Sequence, residues 1–385
     1  MSDSTQNLTN IFPFNNTKNP EKNDAVIPTA IIYCEGQFGK IDGKTANGLV
    51  RYSHNYRILS VIDSKTAGLN SGEVLNEEKN GIPILTDMEA ALTHAGTVPD
   101  YFIFGIAPSS GLLSDTEKTI ILDAMSLKMN IVNGLHEFLS EDPTFLAASI
   151  KHNVTILDIR KPKNKEELQT FSGEIHNVKC PRIAVLGTDC AIGKRTTATI
   201  LVKALQDKGL NVVMIATGQT GIIQGAPYGV ALDAVPSQFC AGELEAIIVK
   251  AYEQENPDLI IIEGQGSLSH PAFSTSSFIL RGSCPTSVIL QHAPKREYRA
   301  DFPKALMPTV ASEINLIETF ADTRVIGLTL NHEDMSSQEI RSAIDDFATQ
   351  LRIPVTDALS QPTDHLVQIV SSAYPHLERK MMLTS

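Results

Sequence analysis

The sequence is poor in the features that build aromatic stacking platforms, membrane spans and zinc ribbons. Tryptophan is absent, and aromatic residues make up 6% of the 385 residues, so a platform for single-stranded nucleic acid is not expected. No apolar run approaches the roughly 18 residues that a membrane-spanning helix needs. The five cysteines include no Cys-x-x-Cys pair, so neither a zinc ribbon nor a disulfide framework is expected.

Acidic side chains outnumber basic ones. The chain has 44 Asp and Glu against 32 Lys and Arg, which gives a formal net charge of −12. Long nucleic acids bind basic surfaces, so this balance argues against them but leaves room for a small anion in a local basic pocket. Residues 1–26 are polar and rich in Asn, and they lack the basic region followed by an apolar core that is typical of a signal peptide. They are predicted to be a flexible segment. The expected location is the reducing cytoplasm.

After residue 26, short apolar runs alternate with stretches of helical spacing. This alternation predicts an α/β protein of two domains, whose mainly parallel sheets are covered by helices on both faces. We predict a Rossmann-like domain at 27–160, a charged connector at 161–179 and a P-loop NTPase-like domain at 180–385. The strands predicted in the second domain cover residues 182–186, 212–216, 259–262, 286–290 and 324–330.

The strongest motif follows the predicted strand at 182–186. It reads Gly187-Thr-Asp-Cys-Ala-Ile-Gly193-Lys194, with five residues between the glycines where the usual P-loop has four. This spacing resembles the dethiobiotin synthetase class of P-loop proteins. A strand that leads through glycines into a helix directs backbone N–H groups at phosphate, and a lysine adds positive charge. We predict phosphate binding by Gly187, Thr188, Cys190, Gly193, Lys194, Arg195, Thr196 and Thr197.

Further candidates follow other strands of the second domain. Glu263 ends the strand at 259–262, where P-loop proteins place an acid that binds metal or water, although a plain strand ending in a polar turn has the same pattern. Gln219 and Thr220 lie in a segment rich in glycine and hydroxyl groups, which predicts either a cofactor contact or a flexible connection. Asp233 is a candidate acid, and His270 is either a base or a hydrogen-bonded loop residue.

Basic residues cluster late in the chain, among them Arg281, Lys295, Arg296 and Arg299. In an acidic chain such a cluster predicts an anionic ligand, because a guanidinium pairs with carboxylate or phosphate through two hydrogen bonds. A solvated basic face paired with surface acids is the alternative. The candidate substrate-binding residues are Asp233, Arg281, Lys295 and Arg299.

Several motifs occur together and in order. They are Gly-Lys-Thr-Ala-x-Gly-Leu-x-Arg-Tyr from Gly43, Val-Ile-Asp-Ser from Val61, the phosphate loop, Thr-Gly-Gln-Thr-Gly from Thr217 and Glu-Gly-Gln-Gly-Ser-Leu-x-His-Pro from Glu263. On these motifs, nearly the whole chain resembles the D-glutamate N-acetyltransferase (DgcN) family, first defined as a domain of unknown function. The resemblance implies a Rossmann-like domain joined to a P-loop domain, acetyl-CoA as donor, D-glutamate as acceptor and no metal. By analogy with the P-loop class, a homo-oligomer is expected.

Acetyl transfer to an amine needs a general base, because the ammonium group must first lose a proton. The candidates near the phosphate loop are Asp189, Glu263 and His270, of which Asp189 is the first choice as base or amine anchor. Lys194 or loop N–H groups would stabilise the oxyanion. A covalent route through Cys190 ranks below direct transfer, since no histidine is close to it in sequence.

Two other classes of function remain open. An ATP-dependent kinase or ligase would use Thr196 and Glu263 with Mg²⁺. A regulator would bind a nucleotide without chemistry.

Overall fold

The computed structural model describes residues 27–108 and 110–384. The flexible segment predicted at residues 1–26 lies outside the described residues. The chain forms two compact units. Unit 1 runs to Lys163 and also contains Gln219–Pro227, and unit 2 comprises Asn164–Gly218 and Tyr228–Ser385. The domain limits predicted from the sequence stay a prediction, and nothing in the sequence signalled that Gln219–Pro227 leaves the second unit.

Unit 1 is built on a sheet of six parallel strands in the order β3-β2-β1-β4-β5-β6. The strands are β1 (Thr29–Tyr33), β2 (Arg57–Ile62), β3 (Ile84–Leu85), β4 (Tyr101–Phe104), β5 (Asn130–Asn133) and β6 (Ile156–Asp158). The helices between them are α1 (Lys44–Arg51), α2 (Ser71–Val74), α3 (Met88–Ala95), α4 (Asp115–Ser126) and α5 (Pro143–His152), with a short 3₁₀ helix at Leu139–Glu141.

Local sequence signals set the ends of these helices. Ser114 and Glu117 form a reciprocal capping box at the start of α4. Asp142 accepts the N–H of Thr144 at the start of α5, and Pro143 takes the first helical position, where its missing N–H costs nothing. Asn153 ends α5 in the left-handed conformation, which asparagine tolerates better than most residues.

Unit 2 contains a sheet of seven parallel strands in the order β15-β14-β11-β7-β10-β8-β9. Its strands are β7 (Arg182–Gly187), β8 (Val212–Ala216), β9 (Tyr228–Gly229), β10 (Leu259–Glu263), β11 (Ser287–His292), β14 (Val325–Leu330) and β15 (Val355–Thr356), and β12 (Tyr298–Arg299) pairs with β13 (Phe302–Leu306) in an antiparallel hairpin. The expectation of two α/β domains with parallel sheets is confirmed.

Helices cover both faces of the second sheet. They are α6 (Lys194–Asp207), α8 (Ser237–Glu255), α9 (Thr275–Ser283), α10 (Val310–Phe320), α11 (Ser337–Leu351), α12 (Asp364–Ala373) and α13 (Pro375–Thr384), with 3₁₀ helices at Lys165–Glu167, Glu174–Asn177 and Leu232–Ala234. One core lies against α8, α9 and α10, and the other against α6, α12 and α13. Strand β7 contributes alternate residues to both cores, so the segment before the predicted phosphate loop is fully buried.

Helix α7 (Gln219–Gln224) follows β8 in the chain but packs within unit 1. The hydroxyl of Thr220 lies 3.1 Å from that of Thr45, and the Gln224 side chain donates to the carbonyls of Gly48 and Tyr52 at 2.8 and 2.9 Å. These contacts explain why a glycine-rich segment forms a buried helix. No helix among residues 27–108 and 110–384 is long and apolar enough to cross a membrane.

Gly264 allows β10 to approach the strand that carries the phosphate loop. A Cβ at this position would lie 2.0 Å from the carbonyl oxygen of Val185, which belongs to rigid backbone. We predict that Gly264→Ala lowers the free energy of unfolding by about 3 kcal/mol in urea titrations, because the strands must separate. The control is Gly218→Ala, whose Cβ would meet the flexible Gln265 amide at 3.1 Å. Equal losses in the two variants would contradict this packing.

Candidate functional site

The predicted phosphate loop connects β7 to α6 in unit 2. Gly187 ends β7, residues 188–193 form the loop, and Lys194 is the first residue of α6. Ala191 and Gly193 have positive φ angles of 48° and 97°. Left-handed residues among right-handed ones turn successive N–H groups toward a common point, which is how backbone nests bind anions.

Three cationic side chains hold four successive carbonyl groups of this loop. Arg299 donates to Thr188 at 3.1 Å, Lys194 donates to Asp189, and Arg296 donates to Cys190 and Ala191 at 2.8 and 2.9 Å. A trans peptide directs its N–H opposite to its carbonyl group. Fixing the carbonyl groups therefore fixes the direction of the N–H groups that follow them.

Four N–H groups of the loop have no acceptor among the described residues. Within the described part of the chain, the N–H groups of Asp189, Ala191, Ile192 and Gly193 donate to no protein acceptor. Backbone N–H groups in a folded protein are seldom without an acceptor, and a set of them at a helix start is suited to phosphate. The conformation of the loop is therefore suited to binding an anion.

The Asp189 side chain attaches the loop to the β12–β13 hairpin. Its Oδ2 accepts the N–H of Ala300 at 2.8 Å and lies 3.3 Å from Nη1 of Arg296. Its Oδ1 is buried and has no hydrogen-bond partner among the described residues, and it lies 3.8 Å from both Nε2 of His270 and Nη1 of Arg299. Asp189 thus has one oxygen committed to structure and one still able to accept a proton donor.

The hydrogen bonds of His270 identify its protonation state. Nδ1 accepts the N–H groups of Ala272 and Phe273 at 3.3 and 3.1 Å, so the single proton of the neutral ring is on Nε2. Burial and the neighbouring Arg299 lower the pKa of His270, which keeps the ring neutral. Of the two roles expected for His270, this arrangement favours the hydrogen-bonded donor over the base.

The same proton weakens the case for Cys190 as a nucleophile or a metal ligand. Cys190 Sγ lies 3.9 Å from Nε2 of His270, so the fold supplies the histidine that is absent nearby in sequence. Nε2 already carries a proton and cannot accept another from the thiol.

Ligand atoms of Asp189, Cys190 and His270 lie within 4.8 Å of one another. Binding a metal through Nε2 would move the ring proton to Nδ1, against two N–H donors, so the group fits a metal poorly.

Burial moves the nearby Lys194 and Glu263 toward their neutral forms. Burial lowers the pKa of Lys194 to about 8. Burial raises the pKa of Glu263, although Arg195 and Lys194 oppose the shift. Glu263 Oε2 accepts the N–H of Thr217 at 3.0 Å, which fixes the carboxyl group across β10 and β8. An incoming anion would favour the charged form of Lys194.

Comparison with known proteins supports the two-part organisation. Residues 64–162 match a family model described as a domain of unknown function, the DUF1611 N-terminal Rossmann-like domain. Residues 169–367 match the DUF1611 C-terminal P-loop domain.

The chain belongs to the DUF1611 family.

A crystal structure of a DUF1611 family protein from Anabaena variabilis has a TM-score of 0.83 and 32% identity, covering 90% of this chain and 99% of that one. A D-glutamate N-acetyltransferase from a Pseudoalteromonas species is 34% identical over 272 residues, which are 69% of this chain and 80% of that protein. Another from Tritonibacter scottomollicae is 26% identical over 298 residues, 76% and 86% of the respective chains.

In this DUF1611 protein the first turn of α6 carries the remaining predicted phosphate-binding residues. Arg195 and Thr196 are half-buried, whereas Thr197 is buried and donates its hydroxyl to Gln291 at 2.7 Å. Thr188 is also buried, and its hydroxyl lies 2.9 Å from Nδ1 of His292. The hydroxyls of Thr188 and Thr197 thus attach the two ends of the loop to β11. Gln219 and Thr220 lie in α7 of unit 1.

The predicted substrate-binding residues occupy different environments in the DUF1611 structure. Arg299 is buried beside the loop, but Lys295 is exposed and forms an ion pair with Glu339 at 2.5 Å. Arg281 lies on α9, where its guanidinium is 4.8 Å from the centre of the Phe320 ring. Asp233 is exposed on the 3₁₀ helix Leu232–Ala234. Of the four, only Arg299 contacts the phosphate loop among the described contacts.

Four of the five N–H donors of Arg299 are already used by the protein. Nη1 donates to Thr188 and to the Ser267 hydroxyl at 2.8 Å, and Nη2 donates to the carbonyl and hydroxyl of Ser269 at 3.2 and 2.9 Å. Pairing of both nitrogens with a substrate carboxylate would break these bonds. The geometry therefore makes Arg299 a positioning residue.

The sequence analysis missed two positioning residues of the site. Arg296 was recognised in the basic cluster, but its ion pairs with Asp189 and Glu333 depend on the fold. Glu313 of α10 is buried and accepts the N–H groups of Leu268 and Ser269 at 2.7 and 3.2 Å. Glu313 thereby fixes the loop that precedes His270. No local sequence motif predicts this role.

Asp189 provides a test of how much the ion pairs stabilise this site. We predict that Asp189→Asn lowers the free energy of unfolding by about 3 kcal/mol, because the nearby buried guanidiniums lose a counter-charge. Urea unfolding at neutral pH measures this loss. Lys295→Met, which removes an exposed ion pair of the same unit, is the control and is expected to change little. A similar stability of both variants would show that Asp189 does not stabilise the loop.

Proposed function

We propose that the protein is an N-acetyltransferase of D-amino-acid catabolism that moves the acetyl group of acetyl-CoA to the α-amine of D-glutamate. Two relatives that match most of the chain carry the name D-glutamate N-acetyltransferase. The observation that carries the proposal is the loop with four N–H groups that have no acceptor among the described residues. Such a loop suits the phosphates of acetyl-CoA, and it can bind them without cleaving a phosphate bond.

The phosphate loop would bind the pyrophosphate of CoA, with Lys194 close to the negative charge. In the structure, the Lys194 ammonium donates to the carbonyl group of Asp189 in the same loop. A bound phosphate offers it a stronger, charge-assisted partner. Arg296 and Arg299 would remain on the loop carbonyl groups and act through the loop.

The length of CoA separates its phosphates from its reacting acetyl group. The pantetheine arm has about a dozen bonds and spans roughly 15 Å when extended. If the pyrophosphate occupies the loop, an extended arm places the thioester well away from Asp189. We therefore favour a positioning role for Asp189 and His270 at the phosphate end.

An ATP- and Mg²⁺-dependent reaction would use other features of the same loop. Thr196 and Glu263 are the residues that could serve a metal in that case. Thr197 is less suited, because its hydroxyl already donates to Gln291. The roles of Asp233, Arg281 and Lys295 toward the amino acid, the formation of a homo-oligomer and a cytoplasmic location stay predictions.

Thiol release from acetyl-CoA tests the proposed reaction directly. We predict release that depends on D-glutamate and is faster than with L-glutamate or D-alanine, with N-acetyl-D-glutamate detected by mass spectrometry. The parallel reaction contains ATP and Mg²⁺ in place of acetyl-CoA, and phosphate release is measured. Phosphate release together with no thiol release from any amino acid would contradict the proposal and support the ATP-dependent alternative.

Lys194 makes CoA binding depend on pH. Its pKa of about 8 means that it loses its charge at moderately alkaline pH. We predict that CoA affinity, measured by calorimetry, falls as pH rises from 7 through about 8 to 9.5, since a neutral amine attracts phosphate less. Lys194→Arg should bind with little change over this range because a guanidinium stays charged. An equally steep decline in Lys194→Arg would assign the effect to another group.

A further inference from the structure

A second polar cluster lies at the carboxyl edge of the unit 2 sheet, apart from the phosphate loop. It consists of His332, which follows β14, and Asp357, which follows β15. Nδ1 of His332 lies 2.6 Å from Oδ2 of Asp357. The Asp357 side chain is 1% exposed and that of His332 is 36% exposed. A buried carboxylate thus holds an imidazole that reaches solvent.

The surroundings of Asp357 fix the orientation of this pair. Oδ1 of Asp357 accepts the N–H groups of Leu359 and Ser360 at 2.9 and 3.1 Å, which leaves Oδ2 for the histidine. An ionised carboxylate only accepts hydrogen bonds, so the proton of the neutral ring is on Nδ1. Nε2 then carries a free lone pair, and it has no hydrogen-bond partner in the described part of the protein. His332 is therefore set as a proton acceptor, the opposite of His270.

The fold places this acceptor within reach of a CoA molecule bound at the loop. Strand β14 lies two strands from β7 and β15 lies three, which corresponds to about 10 and 14 Å at the usual spacing. Arg296 bridges the two regions, because it donates to the loop carbonyl of Cys190 at 2.8 Å and to Glu333 Oε2 at 2.8 Å. A bent pantetheine arm can span this distance.

We propose that His332 is the general base of the acetyl transfer and that Asp357 is its positioning residue. This inference rests on the proposed function. Nε2 takes one proton from the substrate ammonium, and the freed nitrogen lone pair forms the N–C bond with the acetyl carbon. When the tetrahedral intermediate collapses, the C–S bond breaks and its electron pair goes to the CoA sulfur. The sulfur takes a second proton from the nitrogen, and the imidazolium returns its proton to solvent.

None of the charged groups described around His332 occupies its Nε2, so this atom can act as the general base. Asp357 faces Nδ1, and the adjacent Glu333 is engaged by Arg296 through both carboxylate oxygens. Asp334 follows in a left-handed conformation with a φ of 58°. His332 thus combines an exposed proton acceptor with a buried acid that orients it.

The first test separates catalysis from binding at His332. In the full-length protein, His332→Gln is expected to lower kcat at least 100-fold, with KM for acetyl-CoA within threefold of wild type. His365→Gln, an exposed histidine on α12, is the control and should keep wild-type kcat. Added imidazole should restore part of the rate to His332→Ala, which a structural role would not produce. Full kcat in His332→Gln, or a loss confined to KM for acetyl-CoA, would overturn the assignment.

The second test concerns Asp357. Asp357→Asn can present its amide N–H₂ to Nδ1, which moves the ring proton to Nε2 and removes the acceptor. We expect kcat to fall about as far as in His332→Gln, with CoA binding retained in calorimetry. An unchanged kcat in folded Asp357→Asn would contradict the positioning role. Absence of thiol release by the wild-type protein would overturn the proposed function and the base with it, whereas normal turnover by His332→Gln would overturn the base alone.

Discussion

The candidate site depends on the attachment of three cationic side chains to the carbonyl groups of one loop. Arg296, Arg299 and Lys194 together hold the carbonyl groups of residues 188–191. These hydrogen bonds stabilise the loop in a conformation in which several of its N–H groups have no acceptor among the described residues. A buried carboxylate, Asp189, then ties the loop to the hairpin that carries Arg299. The anion site is a property of this network more than of the glycines.

The two units show why a similar sequence pattern has different consequences. Gly43-Lys44-Thr45 in unit 1 also leads from a glycine-rich loop into a helix, but the start of α1 is closed by protein acceptors. The N–H of Lys44 donates to the Ile41 carbonyl and that of Ala46 to the Gly105 carbonyl, at 3.1 and 3.2 Å. In unit 2 the N–H groups of Lys194 and Thr196, at the corresponding positions of α6, have no acceptor among the described residues. Unit 1 pairs one of its two groups within the loop itself and the other with a residue that follows β4, and only the second pairing depends on the fold.

The sequence was sufficient for the longer central strands and for the position of the phosphate loop, and insufficient for short strands such as β9 and β15 and for the long-range partners. Strand β8 has the predicted limits, since a continuous run of buried apolar residues is a local property. The role of Glu313 depends on the N–H groups of residues more than 40 positions earlier in the chain. His332 and Asp357 are 25 residues apart and meet only because β14 and β15 are neighbours. Pairing of this kind is decided by topology.

Electrostatics resolves the apparent conflict between an acidic chain and an anionic ligand. The positive charges of Arg296 and Arg299 are balanced by the carboxylates of Asp189 and Glu333. These two arginines therefore add little net charge to the site. Burial raises the pKa of Glu263 and lowers that of Lys194, which shifts both groups toward their neutral forms. Under the proposed function, attraction for phosphate would come from oriented N–H dipoles and from one lysine whose charge a bound anion would stabilise. The N–H dipoles and the lysine act over a few ångströms. The exposed charges that make up the overall −12 lie farther away and are screened by water and salt, so they have little influence at the loop.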